Sequence, residues 1–113
     1  MIPKLTAHKF ISQNPVGVDW LCGDLHGQFD TLQNELSNVG FDPTRDRLFL
    51  LGDVIDRGPK SKELLSWVLP TDYVHSVMGN HELMFVASSF SPQYREKHRA
   101  IGGGFKSTFL SIE

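Results

Sequence analysis

Three short apolar runs alternate along the chain with segments whose apolar residues recur at helical spacing. The runs occupy residues 17–22, 48–51 and 73–78, and each is followed by a cluster of glycine and polar residues. Runs of this length and composition predict strands. The second run is continuously apolar, which favours a strand buried on both faces, as in a parallel sheet.

The intervening segments predict helices that pack on this sheet. Their apolar positions are Phe29, Leu32, Leu36 and Val39, then Leu64, Leu65 and Val68, then Leu83, Val86, Ala87 and Phe90. The last of these helices is predicted to end near Pro92, and the charged residues 93–99 predict an exposed turn or helix. Strand and helix therefore alternate three times. Right-handed crossovers then make the sheet parallel, with all carboxyl ends at one edge, where such sheets bind ligands.

Length, charge and cysteine content narrow the class of protein. With 113 residues the chain is expected to be a single domain or part of one, with residues 1–14 as an aperiodic lead-in arm. The net charge of -2 gives no basic excess for nucleic-acid binding, and no apolar run is long enough to span a membrane. The single cysteine, Cys22, excludes an intrachain disulfide. We therefore expect a cytoplasmic protein.

The polar clusters carry side chains that bind metal ions. They read Gly-Asp-Leu-His-Gly at residues 23–27, Gly-Asp-Val-Ile-Asp-Arg-Gly at 52–58 and Gly-Asn-His-Glu at 79–82. The candidate ligands are Asp24, His26, Asp53 and Asn80. Such a mixture of oxygen and nitrogen ligands suits Mn²⁺, Fe or Zn²⁺ better than Ca²⁺. A carboxylate can bridge two such ions, and a water between them becomes a nucleophile near neutral pH.

Three further residues in the clusters suit the hydrolysis of a phosphate ester. Arg57 offers a planar guanidinium that matches phosphate oxygens. His81 can give a proton to the leaving oxygen, and Asp56 can orient its ring. Acyl transfer would require a nucleophilic Ser or Cys beside a base, and the clusters place none in that way.

The three motifs, in this order and spacing, resemble the signature of the calcineurin-like metallophosphoesterases. Glu82 and the Asp-Arg-Gly-Pro run at residues 56–59 make the chain most similar to the phosphoprotein phosphatase branch, in its small bacterial and phage-lambda-type form. The resemblance implies the βαβαβ half of a four-layer α/β/β/α sandwich. It also implies two divalent ions, with Mn²⁺ as the first choice and Fe, Zn²⁺ or Ni²⁺ as alternatives.

The resemblance further implies a role for each site residue. Asp24 and His26 would bind the first metal, Asp53 would bridge and Asn80 would bind the second. His81 would be the general acid with Asp56 as its partner, and Arg57 and His81 would bind the substrate phosphate.

Family members continue with two more histidine ligands and a second arginine, so the chain is expected to be an N-terminal half whose activity alone stays open. His98 lies too soon after residues 79–82 to be one of those histidines.

The expected function is that of a serine/threonine protein phosphatase that uses a metal-activated hydroxide on phosphoproteins or small phosphoesters. One alternative is a symmetrical dinucleoside polyphosphate hydrolase, whose related sequences tend to have Asp at the position of Glu82. The other is an inactive remnant that binds metal. An uncovered sheet face would also favour self-association.

The remaining histidines and large core candidates are interpreted without a catalytic role. His8, His75 and His98 are assigned no part in the site, and residues 95–99 are expected to form a solvated face. Trp20, Trp67 and Cys22 are expected to pack in the core.

Overall fold

A computed structural model describes residues 8–100 and contains a three-stranded parallel sheet. The strands are β1 (Asp19–Cys22), β2 (Arg47–Leu50) and β3 (Val74–Ser76), side by side in the order β1-β2-β3. Cys22 is aligned with Leu50, and Leu50 with Ser76, so the three strands end level with one another. The α/β class and the single edge of carboxyl ends are therefore confirmed.

Within residues 8–100, one helix follows β1, one follows β2 and two follow β3. These helices are α1 (Phe29–Asn38), α2 (Ser61–Val68), α3 (Asn80–Ser88) and α4 (Pro92–Ala100). Pro92 lies at the first position of α4, where its fixed φ and missing N–H are tolerated. The charged segment after Pro92 is thus a helix, one of the two forms expected, and it packs against α3. No helix within residues 8–100 is long and apolar enough to cross a membrane.

The core lies between α1, α2 and one face of the sheet. Its buried members are Leu25, Leu32, Leu48, Leu50, Val54, Ile55, Leu64, Val68 and Val74. Trp20, Cys22 and Trp67 are partly buried against this cluster, so their expected place at the core is confirmed. The alternation of Leu48 and Leu50 with Phe49 explains the arrangement, because successive strand residues point to opposite faces.

The opposite face of the sheet is open within residues 8–100. Leu21, Phe49 and His75 are aligned across the three strands; Leu21 is 72% exposed, and Phe49 is half-buried against His75, with ring centroids 5.0 Å apart. The prediction that β2 is buried on both faces is therefore wrong for the described part of the chain. Only one of its faces is covered by helices, and self-association through the other face stays a prediction.

The segment before β1 is anchored by Asn14 and by Arg47, whose guanidinium donates to the carbonyl of Ser12 (2.9 Å). The Asn14 side chain donates to the carbonyl of Arg45 (2.8 Å) and accepts the backbone N–H groups of Val16 and Gly17 (both 3.2 Å). Residues 8–14 contain no regular helix or strand, and the lead-in arm stays a prediction. The rest of the predicted arm and the end of the predicted domain lie outside the described residues.

Candidate metal centre and active site

Three loops meet at the carboxyl edge of the sheet. The loop after β1 lies on the loop after β2, because the N–H groups of Leu25 and His26 donate to the carbonyl of Asp53 (3.2 and 3.0 Å). Gly27 donates in the same way to the carbonyl of Val54 (2.7 Å). The predicted convergence of the polar clusters is therefore present for these two loops.

Two glycines permit an approach that any side chain would prevent. A Cβ atom on Gly58 would overlap the carbonyl oxygen of His26, and one on Gly79 would overlap the backbone and carboxylate of Asp53. Backbone atoms cannot move aside as the end of a flexible side chain can. Glycine at these positions therefore brings the loops after β1 and β3 onto the loop after β2.

Backbone strain is concentrated at this edge. Four residues other than glycine have positive φ within residues 8–100: His26 (44°), Asp53 (50°), Asp56 (72°) and Arg57 (68°). L-residues rarely adopt this conformation, which costs about 1–2 kcal/mol each. All four are residues for which the sequence predicted a site role. Strain of this kind gathers where side chains must be aimed for function.

The Glu82 carboxylate holds the strained loop in place. One oxygen accepts the N–H groups of Asp53 (2.6 Å) and Gly79 (2.9 Å), and the other accepts those of Val54 (2.8 Å) and Ile55 (3.2 Å). This role was not predicted from the sequence. A signal was present, because a glutamate three positions after a helix N-cap can accept the backbone N–H of the N-cap residue, which is one half of a capping box.

Three of the four predicted metal ligands lie together. Ligand atoms of Asp24, His26 and Asp53 are all within 4.8 Å of one another. The His26 Nδ1 lies 2.9 Å from the Ile55 carbonyl, which can only accept, so Nδ1 carries the proton. The Nε2 lone pair is then left to bind a metal, as in proteins whose ligating histidines donate through the other nitrogen. The donor set therefore fits a divalent cation.

Asn80 lies at the same edge. It is the exposed first residue of α3, and the N–H of the next residue, His81, donates to the Asp53 carboxylate (3.0 Å). The helix is thus joined at its start to the candidate ligand group. The ligand role of Asn80 itself stays a prediction.

His81 and Asp56 form a buried pair beside the candidate ligands. The His81 Nδ1 lies 3.0 Å from the Asp56 Oδ2, and both side chains are almost fully buried. The ring of His26 meets that of His81 edge-on at 4.7 Å. With Nδ1 directed at a carboxylate, the other nitrogen of His81 is the one available for proton transfer. Arg57, next to Asp56, is exposed.

His98 joins this pair, and the prediction of a solvated face at residues 95–99 is wrong at this residue. His98 is fully buried, and its Nε2 lies 2.5 Å from the Asp56 Oδ2. This contact was not predicted, because the inner face of α4 is polar: Arg95 and His98 are its less exposed positions. Hydrophobic periodicity cannot identify such a face.

The fold and the candidate site together indicate one class of protein, and comparison with known proteins indicates the same class. Residues 20–111 match the family model described as calcineurin-like phosphoesterase. This chain belongs to that family.

Relatives with curated names are symmetrical bis(5'-nucleosyl)-tetraphosphatases. That of Actinobacillus succinogenes is 47% identical over 73 residues, which are 63% of this chain and 26% of the relative. That of Klebsiella pneumoniae is 48% identical over 69 residues, which are 60% of this chain and 24% of the relative. The chain thus spans about a quarter of the length of the curated relatives it matches.

A solved structure is also similar. It is of a protein proposed to be a diadenosine tetraphosphatase, with a TM-score of 0.54 and 26% identity over 71% of this chain and 41% of that chain. These comparisons confirm the family and the fold expected from the motifs. They do not support the protein phosphatase branch, which was preferred on the strength of Glu82 and of the Asp-Arg-Gly-Pro run at residues 56–59. Glu82 contacts backbone amides, so its length is explained without reference to a substrate.

Proposed function

We propose that this chain provides a divalent-metal site for the hydrolysis of phosphate esters and anhydrides, with dinucleoside polyphosphates as its substrate class. The observation that carries the chemistry is the convergence of Asp24, His26 and Asp53 beside the His81–Asp56 pair. The substrate class is supported by the tetraphosphatases that the chain resembles. It replaces the protein phosphatase as the first choice.

Asp24, His26, Asp53 and Asn80 are the residues that would hold the metal, with two ions expected and Mn²⁺ as the first candidate. Bound ions would draw charge from the phosphoryl oxygens and lower the pKa of the attacking water. Asn80 supplies a neutral amide oxygen, whereas Asp24 and Asp53 supply carboxylates. The set therefore balances much of the charge of two divalent ions while keeping positive charge for the substrate.

The chain's own side chains would then bind the substrate and move the proton. Arg57 is an exposed residue, and the planar fork of its guanidinium suits two oxygens of one phosphoryl group. Asp56 accepts a hydrogen bond from the His81 Nδ1–H and so fixes the ring. The His81 Nε2 would then deliver a proton to the leaving phosphate oxygen. The oxygen of the attacking water would bond to phosphorus as the bridging P–O bond breaks. The proton lost by that water would leave to solvent, and His81 would regain from solvent the proton that it gives to the leaving oxygen.

A substrate panel tests this function. The purified chain with Mn²⁺ is given diadenosine tetraphosphate, a phosphoserine peptide and an aryl phosphate in parallel, and the products are separated by anion exchange. We expect diadenosine tetraphosphate to give two molecules of ADP. His81→Asn should lower kcat by roughly 10²- to 10⁴-fold, the usual range for loss of a general acid. Preferred cleavage of the phosphoserine peptide would restore the protein phosphatase as the function.

Metal binding is measured separately, by titration calorimetry with Mn²⁺. His81→Asn should leave the affinity nearly unchanged, whereas Asp53→Asn should weaken it, because only Asp53 is a proposed ligand. Equal loss of binding in both variants would exclude the role of His81 as the acid. A chain that binds Mn²⁺ and cleaves no substrate would favour the alternative of an inactive metal-binding remnant.

A further inference from the structure

We propose that His98 is a positioning residue that orients His81 by holding the carboxylate of Asp56. The inference rests on the proposed function, in which His81 is the proton donor. One oxygen of Asp56 lies 3.0 Å from the His81 Nδ1 and 2.5 Å from the His98 Nε2. The two imidazoles come from different helices, α3 and α4, and meet at this single atom.

Burial explains why one carboxylate takes two donors. The Asp56 side chain is fully buried, and a buried carboxylate is costly unless hydrogen bonds replace its water shell. An ionised carboxylate can only accept, so the facing nitrogen of each histidine carries the proton. Asp56 is thus fixed from two directions. The backbone fixes it as well, since its own N–H donates to the buried Ser61 hydroxyl (2.8 Å).

The packing of α4 on α3 places His98 at this position. The ring of His98 lies against Phe85, with centroids 6.2 Å apart and planes inclined by 32°. Phe85 is one turn after His81 on α3, so the same helix pair carries both imidazoles. A carboxylate held by only one of them would allow the His81 ring to turn. Small losses of alignment in a reacting group cost up to about a hundredfold in rate.

Leaving-group dependence separates positioning from a structural role. His98→Leu removes the ring nitrogens and leaves an apolar side chain of similar size. His98→Gln keeps an N–H near the position of Nε2. On a poor leaving group such as phenyl phosphate, His98→Leu should lower kcat about 10- to 100-fold with KM nearly unchanged. On dinitrophenyl phosphate, which needs no proton, the loss should be under about threefold. His98→Gln should recover most of the rate, and the exposed His8→Leu is the control.

A double-variant cycle gives the second kinetic readout. Adding His98→Leu to Asp56→Asn should cause no further loss, because His98 acts only through Asp56. Equal losses on both leaving groups, or full additivity with Asp56→Asn, would overturn the proposal.

Imidazole ¹⁵N NMR tests the same contact without turnover. In the unaltered chain, the Nε2–H resonance of His98 should have the chemical shift of a hydrogen-bonded group. In Asp56→Asn this resonance should shift. The Nδ1–H resonance of His81 should change in His98→Leu and stay nearly unchanged in His98→Gln. Unaltered His81 signals in both variants would refute the inference. If the His81 and His98 resonances respond to these variants but the chain cleaves no substrate, the proposed function is refuted and the contact is established.

Discussion

The two ends of the sheet each hold a carboxylate that binds backbone amides, yet they differ in what they stabilise. At the amino end, Asp46 accepts the N–H groups of Val18 and Asp42 (both 2.9 Å) and is 3% exposed. At the carboxyl end, Glu82 accepts four N–H groups from the loops after β2 and β3. The chemistry is the same, but only the second carboxylate lies among residues with left-handed backbone.

This difference indicates how the chain divides stability from function. Asp46 closes a short turn whose residues, glycine apart, have ordinary dihedral angles, so its hydrogen bonds contribute directly to folding. Glu82 holds a loop that contains Asp53 and Asp56 at positive φ, so part of its contribution offsets strain. The strained loop aims the side chains that would bind metal and phosphate. Because Glu82 accepts four backbone N–H groups and Asp46 accepts two, substitution of Glu82 should lower the free energy of unfolding more than a comparable substitution of Asp46.

The largest effect is expected where two backbones touch. Gly58→Ala places a Cβ against the carbonyl oxygen of His26, which cannot move without breaking the loop contact. We expect a loss of roughly 2–4 kcal/mol in the free energy of unfolding, measured with urea. Gly23→Ala is the matched control from the same edge, because no atom lies within 4 Å of its added Cβ. Equal losses in both variants would show that the loops are not held in contact.

The next effect is expected from the carboxylate at the carboxyl end of the sheet, Glu82. Glu82→Gln keeps the shape of the side chain but removes its charge and turns one acceptor into a donor that faces backbone N–H groups. We expect a loss of about 2 kcal/mol in the free energy of unfolding, in the range for hydrogen bonds to charged groups. The affinity for Mn²⁺ should fall as well, because Asp53 lies in the loop that Glu82 holds and would move with it.

Glu35→Gln on the exposed side of α1 is the control and should change stability by under about 0.5 kcal/mol. A Glu82→Gln variant as stable as this control would contradict the holding role of Glu82.

The contrast between the two ends also explains what the sequence could predict. The order of elements follows from periodicity, and the shared edge follows from crossover handedness, so Asp24, His26 and Asp53 could be assigned to one site from the sequence alone. Positive φ at four of the site residues could not be predicted, because only tertiary contacts such as those of Glu82 hold these residues there. His98 was missed for a related reason. Its burial depends on how α4 docks, and no apolar pattern on that helix reports it.

The smallest effect is the pH dependence at the amino end. Hydrogen bonds from the N–H groups of Val18 and then Asp42 hold the pKa of Asp46 below its usual value. Because the folded-state pKa is the lower one, this stabilisation is complete above the unfolded pKa of about 3.9 and is lost as pH falls through the folded pKa. Thermal unfolding between pH 7 and pH 2.5 should therefore show a falling Tm below about pH 4.

Asp46→Asn removes the ionisation and keeps one acceptor oxygen, so its Tm should be lower at pH 7 and approach that of the unaltered chain at the acid end. The exposed Asp72→Asn should follow the unaltered chain throughout. Asp42 and Asp19 also have lowered pKa values, through the Thr44 side chain and the Arg47 side chain respectively, so a residual acid slope in Asp46→Asn is expected. A gap between Asp46→Asn and the unaltered chain that stays constant with pH would show that Asp46 stabilises the turn by shape alone. The two carboxylates would then differ in kind, with only Glu82 acting through its charge.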